Sequence, residues 1–247
     1  MNFLSLYKRY IKFILKKKIN IDTQPDFKDK KLEDLFIYYG TDKGQTWKNK
    51  ENIGHGYTQF YEKHFEQIRS KKLNILEIGS YAGASAASFK KYFYNSNIYC
   101  LDVNISNFKF SSKNIQVFGI DVSNQKKIMK FFKKIGADKT SFFDIIIDDG
   151  SHKLSDILLS LNIFIHKLNK DGYYVIEDFK LPNFHEHLND VDEDKIDKLF
   201  EKIKLKKSFS SKILDQETLS LLKNNFTIDD YKGNLKESDI IFLKKLN

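Results

Sequence analysis

Two apolar runs in this chain end in paired acids. FDIIID (143–148) leads into Asp148, Asp149, Gly150, Ser151 and His152, and YYVIED (173–178) closes on Glu177 and Asp178. If these runs are neighbouring strands, their ends stand about 4.8 Å apart and three or four carboxylates crowd at one rim. Like charges that close raise one another's pKa unless a cation compensates. Hard oxygen ligands with room for water and substrate suit Mg²⁺ or Mn²⁺. His152 follows Asp149 by three residues. An imidazole titrates near neutrality and can take a proton from a substrate hydroxyl, whose own pKa a bound metal lowers. The plainer readings are a helix-start histidine that holds its loop, and a solvated strand end at Glu177 and Asp178. His185, Glu186 and His187 form a second conceivable metal group, although alternate histidines in a polar loop read more naturally as surface residues. His55 is expected to border a pocket, and His64 to lie on a helix beside Phe60 and Phe65.

A framework that could position such a rim is visible from Leu73 onward. Strand candidates are 74–79, 97–103, 115–122, 143–148 and 173–178, with helical patterns near 84–93, 124–135 and 153–168 between them. Near-continuous apolar strands alternating with helices predict a doubly wound α/β fold with a parallel sheet covered on both faces. FTIDDY (226–231) and DIIFLKKL (239–246) lie close together with a turn between them, which predicts a terminal hairpin adding an antiparallel strand. Before the sheet, KLEDLFIYYGTDKG reads as a helix with Leu32, Leu35, Phe36 and Tyr39 on one side, stopped by Gly40. The expected organisation is a helical extension over 1–70, acting as a lid for cofactor and substrate, followed by a Rossmann-like domain over 71–247.

In open parallel sheets, ligands bind beyond the carboxyl ends of the strands. The first such end is LEIGSYAGAS (76–85), where Gly79 lets the chain turn and Gly83 lets a ligand approach at the start of a helix. Its spacing, E-x-G-x-x-x-G-x-S, runs on to Ser85 and differs from the dinucleotide G-x-G-x-x-G. Asp102 ends the second strand, placed to accept bonds from ribose hydroxyls, and Asp121 follows the third, within reach of an adenine amino group. Together these residues resemble the class I S-adenosylmethionine-dependent methyltransferases over about 73–246; an NAD- or nucleotide-binding domain is the alternative. Glu77 in such folds is more often structural than a cofactor contact.

IDDGSH (147–152) and IED (176–178), with GTDKG (40–44) and HGYTQFYEKHF (55–65), narrow the likeness further. They resemble the metal-dependent sugar O-methyltransferases of macrolide biosynthesis, the mycinamicin and macrocin enzymes among them. That resemblance implies Asp149, Glu177 and Asp178 as Mg²⁺ (or Mn²⁺) ligands, and His152 as general base with Asp149 beside it in the catalytic set. It implies that Thr41, Lys43 and Tyr57 close over the S-adenosylmethionine, with Gly79, Ser85, Asp102, Asp121 and Asp148 as further cofactor contacts. Where family members often continue IED with threonine and serine, this chain reads FKLPNFHEH (179–187), a loop expected to shape acceptor recognition.

Composition bounds the reading. With 247 residues, 41% hydrophobic and 2 prolines, the chain is long enough for one α/β domain and a small appendage. Its net charge of +9 is mostly lysine, with arginine only at Arg9 and Arg69, a poor signature for nucleic-acid recognition. A single cysteine, Cys100, excludes an internal disulfide and reads as a buried thiol, consistent with a reducing cytoplasm. In residues 1–20, Phe3, Leu4, Tyr7, Tyr10, Ile11 and Ile14 recur at helical spacing among Lys8, Arg9, Lys12 and Lys16 to Lys18. This is neither a transmembrane span nor a signal peptide. A basic amphipathic helix of this kind can lie on a membrane surface, while docking on the domain or on a second subunit of a homo-oligomer is the favoured use. The expected acceptor is a small-molecule sugar or nucleotide sugar, with a polysaccharide sugar as open as an antibiotic one. A catechol-type O-methyltransferase and a non-catalytic cofactor-binding subunit are the alternatives. A base N-methyltransferase is disfavoured, because DDGSH lacks the Asn/Asp-Pro-Pro-aromatic clamp of amino-group methylators.

Overall fold

A computed structural model of the chain describes residues 3–47 and 51–246. The side chains of Phe3 and Leu4, expected on the apolar stripe of the first helix, lie outside that description. The chain folds as two compact units. The first runs from the N-terminal helix to Asp121 and takes in Gly233–Lys236; the second comprises Val122–Lys232 and the segment from Glu237.

In the first unit, helices α1 (Phe3–Leu15), α2 (Leu32–Tyr39) and α3 (Thr58–Phe65) precede a parallel set of strands. These are β1 (Asn74–Ile78), β2 (Asn97–Asp102) and β3 (Ile115–Gly119), with helix α4 (Ala84–Tyr92) between the first two. β1 and β2 are buried along nearly their whole length, as the unbroken apolar runs predict, whereas β3 is half-exposed. Gly40 ends α2 in the left-handed conformation with φ 77°, the stop expected of a glycine there. Small side chains from Ala84 to Ser88 let α2 lie close to α4, so that the Ser88 hydroxyl donates to the Leu35 carbonyl at 3.2 Å. Phe36 meets Phe89 edge-on at 5.5 Å, Tyr61 meets Phe89 at 5.2 Å and Phe65 meets Phe93 at 5.7 Å. That aromatic cluster fastens the helical extension to the strands. Cys100 is buried, and burial first, then Glu77, pushes its thiol well above the ordinary range, as befits an inert core residue.

α1 docks on the same unit, the use the sequence favoured for it. The Arg9 guanidinium donates to the Val103 carbonyl at 3.2 Å, and the Lys16 ammonium to the carbonyls of Ser106 and Asn107, each at 3.0 Å. Phe13 packs edge-on against Phe108 at 6.5 Å. Just beyond the helix, Ile19 and Asn20 pair in parallel with Phe110 and Ser111.

The second unit contains α5 (Gln125–Ile135), β4 (Phe143–Asp148), α6 (Leu154–Phe164), β5 (Leu168–Glu177), three further α-helices and strands β6 (Phe226–Lys232) and β7 (Asp239–Lys245). β4 and β5 are parallel, β7 runs antiparallel to β5, and β6 runs antiparallel to β7. The expected terminal hairpin is therefore present, and the strands of the fold are mixed but mostly parallel. β5 starts earlier than the expected Tyr173. Phe143 pairs with Leu168 and Ile145 with Tyr173, so Asn169 to Gly172 bulge out of the ladder. The turn signal in NKDG is real, with Asp171 at φ 60°, but it marks an irregularity within a strand rather than its beginning.

Gly83, the N-cap of α4, stands at φ 79°, and a Cβ there would meet the Phe108 ring at 2.5 Å. The space a side chain would need is held by that ring. Gly83→Ala combines left-handed strain with overpacking and is expected to lower stability by about 2–4 kcal/mol. Urea denaturation against the wild-type chain measures this.

Candidate functional site

The acid cluster of the second unit is set by strand register. Asp148 ends β4 opposite Ile176 of the parallel β5, so the next residue of each strand, Asp149 and Glu177, leaves the ladder at the same level. The two strand ends are therefore neighbours, as the sequence reading required. Asp148 itself is buried at 4% exposure. Its carboxylate accepts from the Gly150 N–H at 3.2 Å and the Tyr174 hydroxyl at 3.4 Å. Burial pushes its pKa up to about 7; Asp149 beside it adds to the rise, while the bonds from Gly150, Ser160 and Tyr174 oppose it. Expected at the rim as a cofactor contact, Asp148 has its oxygens turned to these protein donors.

Asp149, His152 and Asp178 each offer a ligand atom, and the three atoms lie within 4.8 Å of one another. His152 Nε2 stands 3.6 Å from Asp149 Oδ1, with about a fifth to a quarter of each side chain exposed. Ligands on opposite sides of one octahedral Mg²⁺ stand about 4.2 Å apart, so this set needs little contraction to hold such an ion. The two carboxylates are the hard oxygen donors that Mg²⁺ or Mn²⁺ takes and fit the metal expected, whereas the imidazole beside them is a softer donor that such an ion does not need. The trio is not the one the resemblance implies, since His152 belongs to it and Glu177 lies outside. Glu177 is the last residue of β5, 2% exposed and paired with Ile240.

The backbone is bent to make the trio. His152 has φ 57° and Asp178 φ 51°, and in the glycine turn of the first unit Tyr81 has φ 40°. Among the described residues five non-glycine positions have positive φ, and three of them fall at the motifs singled out for chemistry. A left-handed side-chain-bearing residue costs about 1 kcal/mol or more and tends to persist where function needs it.

The first unit collects the residues expected around a cofactor. Gly79 has φ 86° and donates its N–H to the Leu101 carbonyl at 2.8 Å, turning the chain off β1. Asp102, at the end of β2, accepts from the Tyr81 N–H at 2.7 Å and from the Asn104 N–H at 2.5 Å. These bonds lock the glycine turn to the acid. A carboxylate has about four acceptor sites, which leaves Asp102 capacity for ribose hydroxyls. Asp121 is half-buried, two residues beyond β3. Ser85 is buried and its hydroxyl donates to the Glu77 carboxylate, consistent with the structural role read for Glu77.

Sequence reading treated GTDKG and HGY as separate motifs; the fold zips them together. The N–H groups of Gly54, His55, Gly56 and Tyr57 donate to the carbonyls of Gln45, Asp42, Gly44 and Lys43 at 2.7–2.8 Å. A Cβ on Gly54 would sit 2.2 Å from the Gly44 carbonyl oxygen, which explains the glycine. Thr41, Lys43 and Tyr57 are all buried within this double loop. Two residues that sequence reasoning missed hold it. Glu33 accepts from the Gln45 N–H at 2.9 Å and the Thr58 hydroxyl at 2.5 Å. Asn234, in the turn between β6 and β7, donates its N–H to the His55 carbonyl at 2.8 Å and its amide to the Gln45 side chain at 2.9 Å. Glu33 looked like an ordinary first-turn helix acid, and nothing local to Asn234 points to residues so distant.

The other histidines singled out in the sequence stand apart from the Asp149–His152–Asp178 group. His185 faces Glu237 at 3.1 Å, with the His187 ring 5.8 Å away, and no three-ligand group forms around them among the described residues. His55 lies 3.8 Å from the Asp42 carboxylate, its ring 5.2 Å from that of Tyr57.

No family model matches the chain. It is 28% identical over 133 residues, 51% of its length, to 8-demethyl-8-alpha-L-rhamnosyl tetracenomycin-C 2'-O-methyltransferase of Streptomyces olivaceus, covering 34% of that protein. It is 29% identical over 131 residues, half of its length, to demethylmacrocin O-methyltransferase of Streptomyces fradiae, covering 32% of it. The chain thus spans about a third of the length of these curated relatives. Among solved structures, MycE methyltransferase from the mycinamycin biosynthetic pathway, in complex with Mg and SAH, superposes with a TM-score of 0.63 at 21% identity. That match covers 87% of this chain and 54% of MycE, and it shows that the fold is the Rossmann-like methyltransferase fold expected from the sequence.

Proposed function

We propose that the protein is an S-adenosylmethionine-dependent, divalent-metal-assisted O-methyltransferase that acts on a sugar hydroxyl. The observation that carries this is the Asp149–His152–Asp178 trio, two of whose members hold left-handed backbone, in a chain whose sequence relatives are named as O-methyltransferases, of a rhamnosyl and of an olivosyl compound among them. When bound, Mg²⁺ or Mn²⁺ lowers the pKa of an acceptor hydroxyl, and S-adenosylmethionine supplies the activated methyl group. Asp149 and Asp178 would hold the metal, and Glu177, at the end of the neighbouring strand, would join them as the further ligand that the resemblance implies. His152 takes the proton of the acceptor hydroxyl on its imidazole, and Asp149 orients it. Asp102 accepts from the ribose hydroxyls and Asp121 from the adenine amino group, beside the turn of Gly79 and the Ser85 end of the motif. Residues 1–70 serve as the lid, through Thr41, Lys43 and Tyr57.

The names of the relatives favour a sugar carried by a natural product over the polysaccharide sugar that the sequence left open. The loop from Phe179 to His187 reads the acceptor. Incubating the chain with S-adenosylmethionine and a panel of glycosylated natural products and nucleotide sugars tests the reading by a mass gain of one methyl group. Turnover of a vicinal diphenol, with none on any sugar, would reassign it as a catechol-type enzyme.

Three outcomes are expected. S-adenosylhomocysteine at a hundredfold excess over its Kd should raise the melting temperature by roughly 5–10 °C, and NAD should not; Asp102→Ala should shrink that shift in differential scanning fluorimetry. Chelation should abolish transfer and Mg²⁺ or Mn²⁺ restore it, while Asp149→Asn and Asp178→Asn should each weaken Mn²⁺ binding at least tenfold by titration calorimetry.

His152→Asn keeps a residue that tolerates positive φ but removes the base. It should cut kcat by about two to four orders of magnitude, with the melting temperature nearly unchanged. A folded His152→Asn protein with normal kcat would give the base role to another group.

A further inference from the structure

Helix α1 presents the wrong face to solvent for a helix that serves only to pack. Its contacts with the domain come from Arg9, Phe13 and Lys16, spaced i, i+4, i+7 on one side. Tyr7, Tyr10 and Ile14, spaced i, i+3, i+7, line the opposite side at 57%, 52% and 52% exposure, and Leu15 beside them reaches 78%. An amphipathic helix that docks through its cations and leaves its apolar stripe outward has a second surface to fill. The flanks of that stripe say which. Lys8, Lys12 and Lys17 are exposed, and residues 1–20 hold six cations and no acid. A second copy placed stripe to stripe would bring two cationic helices together, whereas an anionic surface complements them. Tyr7 and Tyr10 are the side-chain type that rests at headgroup depth, with an apolar ring and a polar tip. No described helix is long and apolar enough to cross a membrane, and at 13 residues α1 spans only about 20 Å.

We propose that the outward face of α1 is a peripheral membrane anchor, lying in the plane of a bilayer that contains anionic lipid. The inference is independent of the catalytic reading, because no residue of either candidate cluster belongs to α1. The test is sedimentation of the full chain with vesicles of phosphatidylglycerol and phosphatidylcholine, and with vesicles of phosphatidylcholine alone. The protein is expected to sediment with the anionic vesicles, to be released by salt, and to bind the neutral ones at least tenfold more weakly. Tyr10→Glu with Ile14→Glu should abolish binding, and Lys8→Ala and Lys12→Ala should each weaken it by about fivefold. All four positions are exposed, so the melting temperature should stay at the wild-type value. Three results would overturn the proposal: no sedimentation with anionic vesicles, undiminished binding by the Tyr10→Glu/Ile14→Glu protein, or a lipid-free dimer that this double substitution dissociates.

Discussion

Parallel pairing of β4 with β5 ends two apolar strands at the same level, and it brings Asp148, Asp149, Glu177 and Asp178 out together. Four carboxylates so placed repel one another, and the chain relieves this in two ways. It buries Asp148, where the neutral form is favoured and Tyr174 and Gly150 donate to its oxygens. It turns two others toward an imidazole, by way of left-handed backbone at Asp178 and His152. A cation held by these groups would complete the compensation. The rest of the second unit serves this register: the bulge at 169–172 lets β5 realign with β4, and β7 covers the other edge of β5.

Much of this was legible because it follows from short-range rules. FDIIID reads as a buried strand and is one, ending at Asp148 as expected; Gly40 stops its helix; the terminal hairpin lies where its apolar runs place it. What escaped the sequence depends on side chains choosing partners across long separations. Glu177 and Asp178 are adjacent in sequence, yet only the second turns into the trio, because the chain leaves the strand between them. Ser85 occupies a motif position but spends its hydroxyl on Glu77. The space beside Gly83 that a Cβ would need is held by Phe108, a residue with no local signal of that role.

The helical extension is tied to the first unit by two kinds of contact with different physical behaviour. The aromatic cluster of Phe36, Tyr61, Phe89 and Phe93 is apolar and insensitive to salt. The double loop of 41–45 and 54–57 is held by directional hydrogen bonds to Glu33 and Asn234.

Asn234 reaches back across 189 positions to Gln45. At synthesis rates of about 5–20 residues per second, that separation is roughly 10–40 s of translation. During that interval the glycine turn, the aromatic cluster and the zipped loops can all form, but the last polar tie on the loop does not yet exist. The emerging chain therefore carries a loop that is built early and fastened late, and its nascent form is looser there than the finished one.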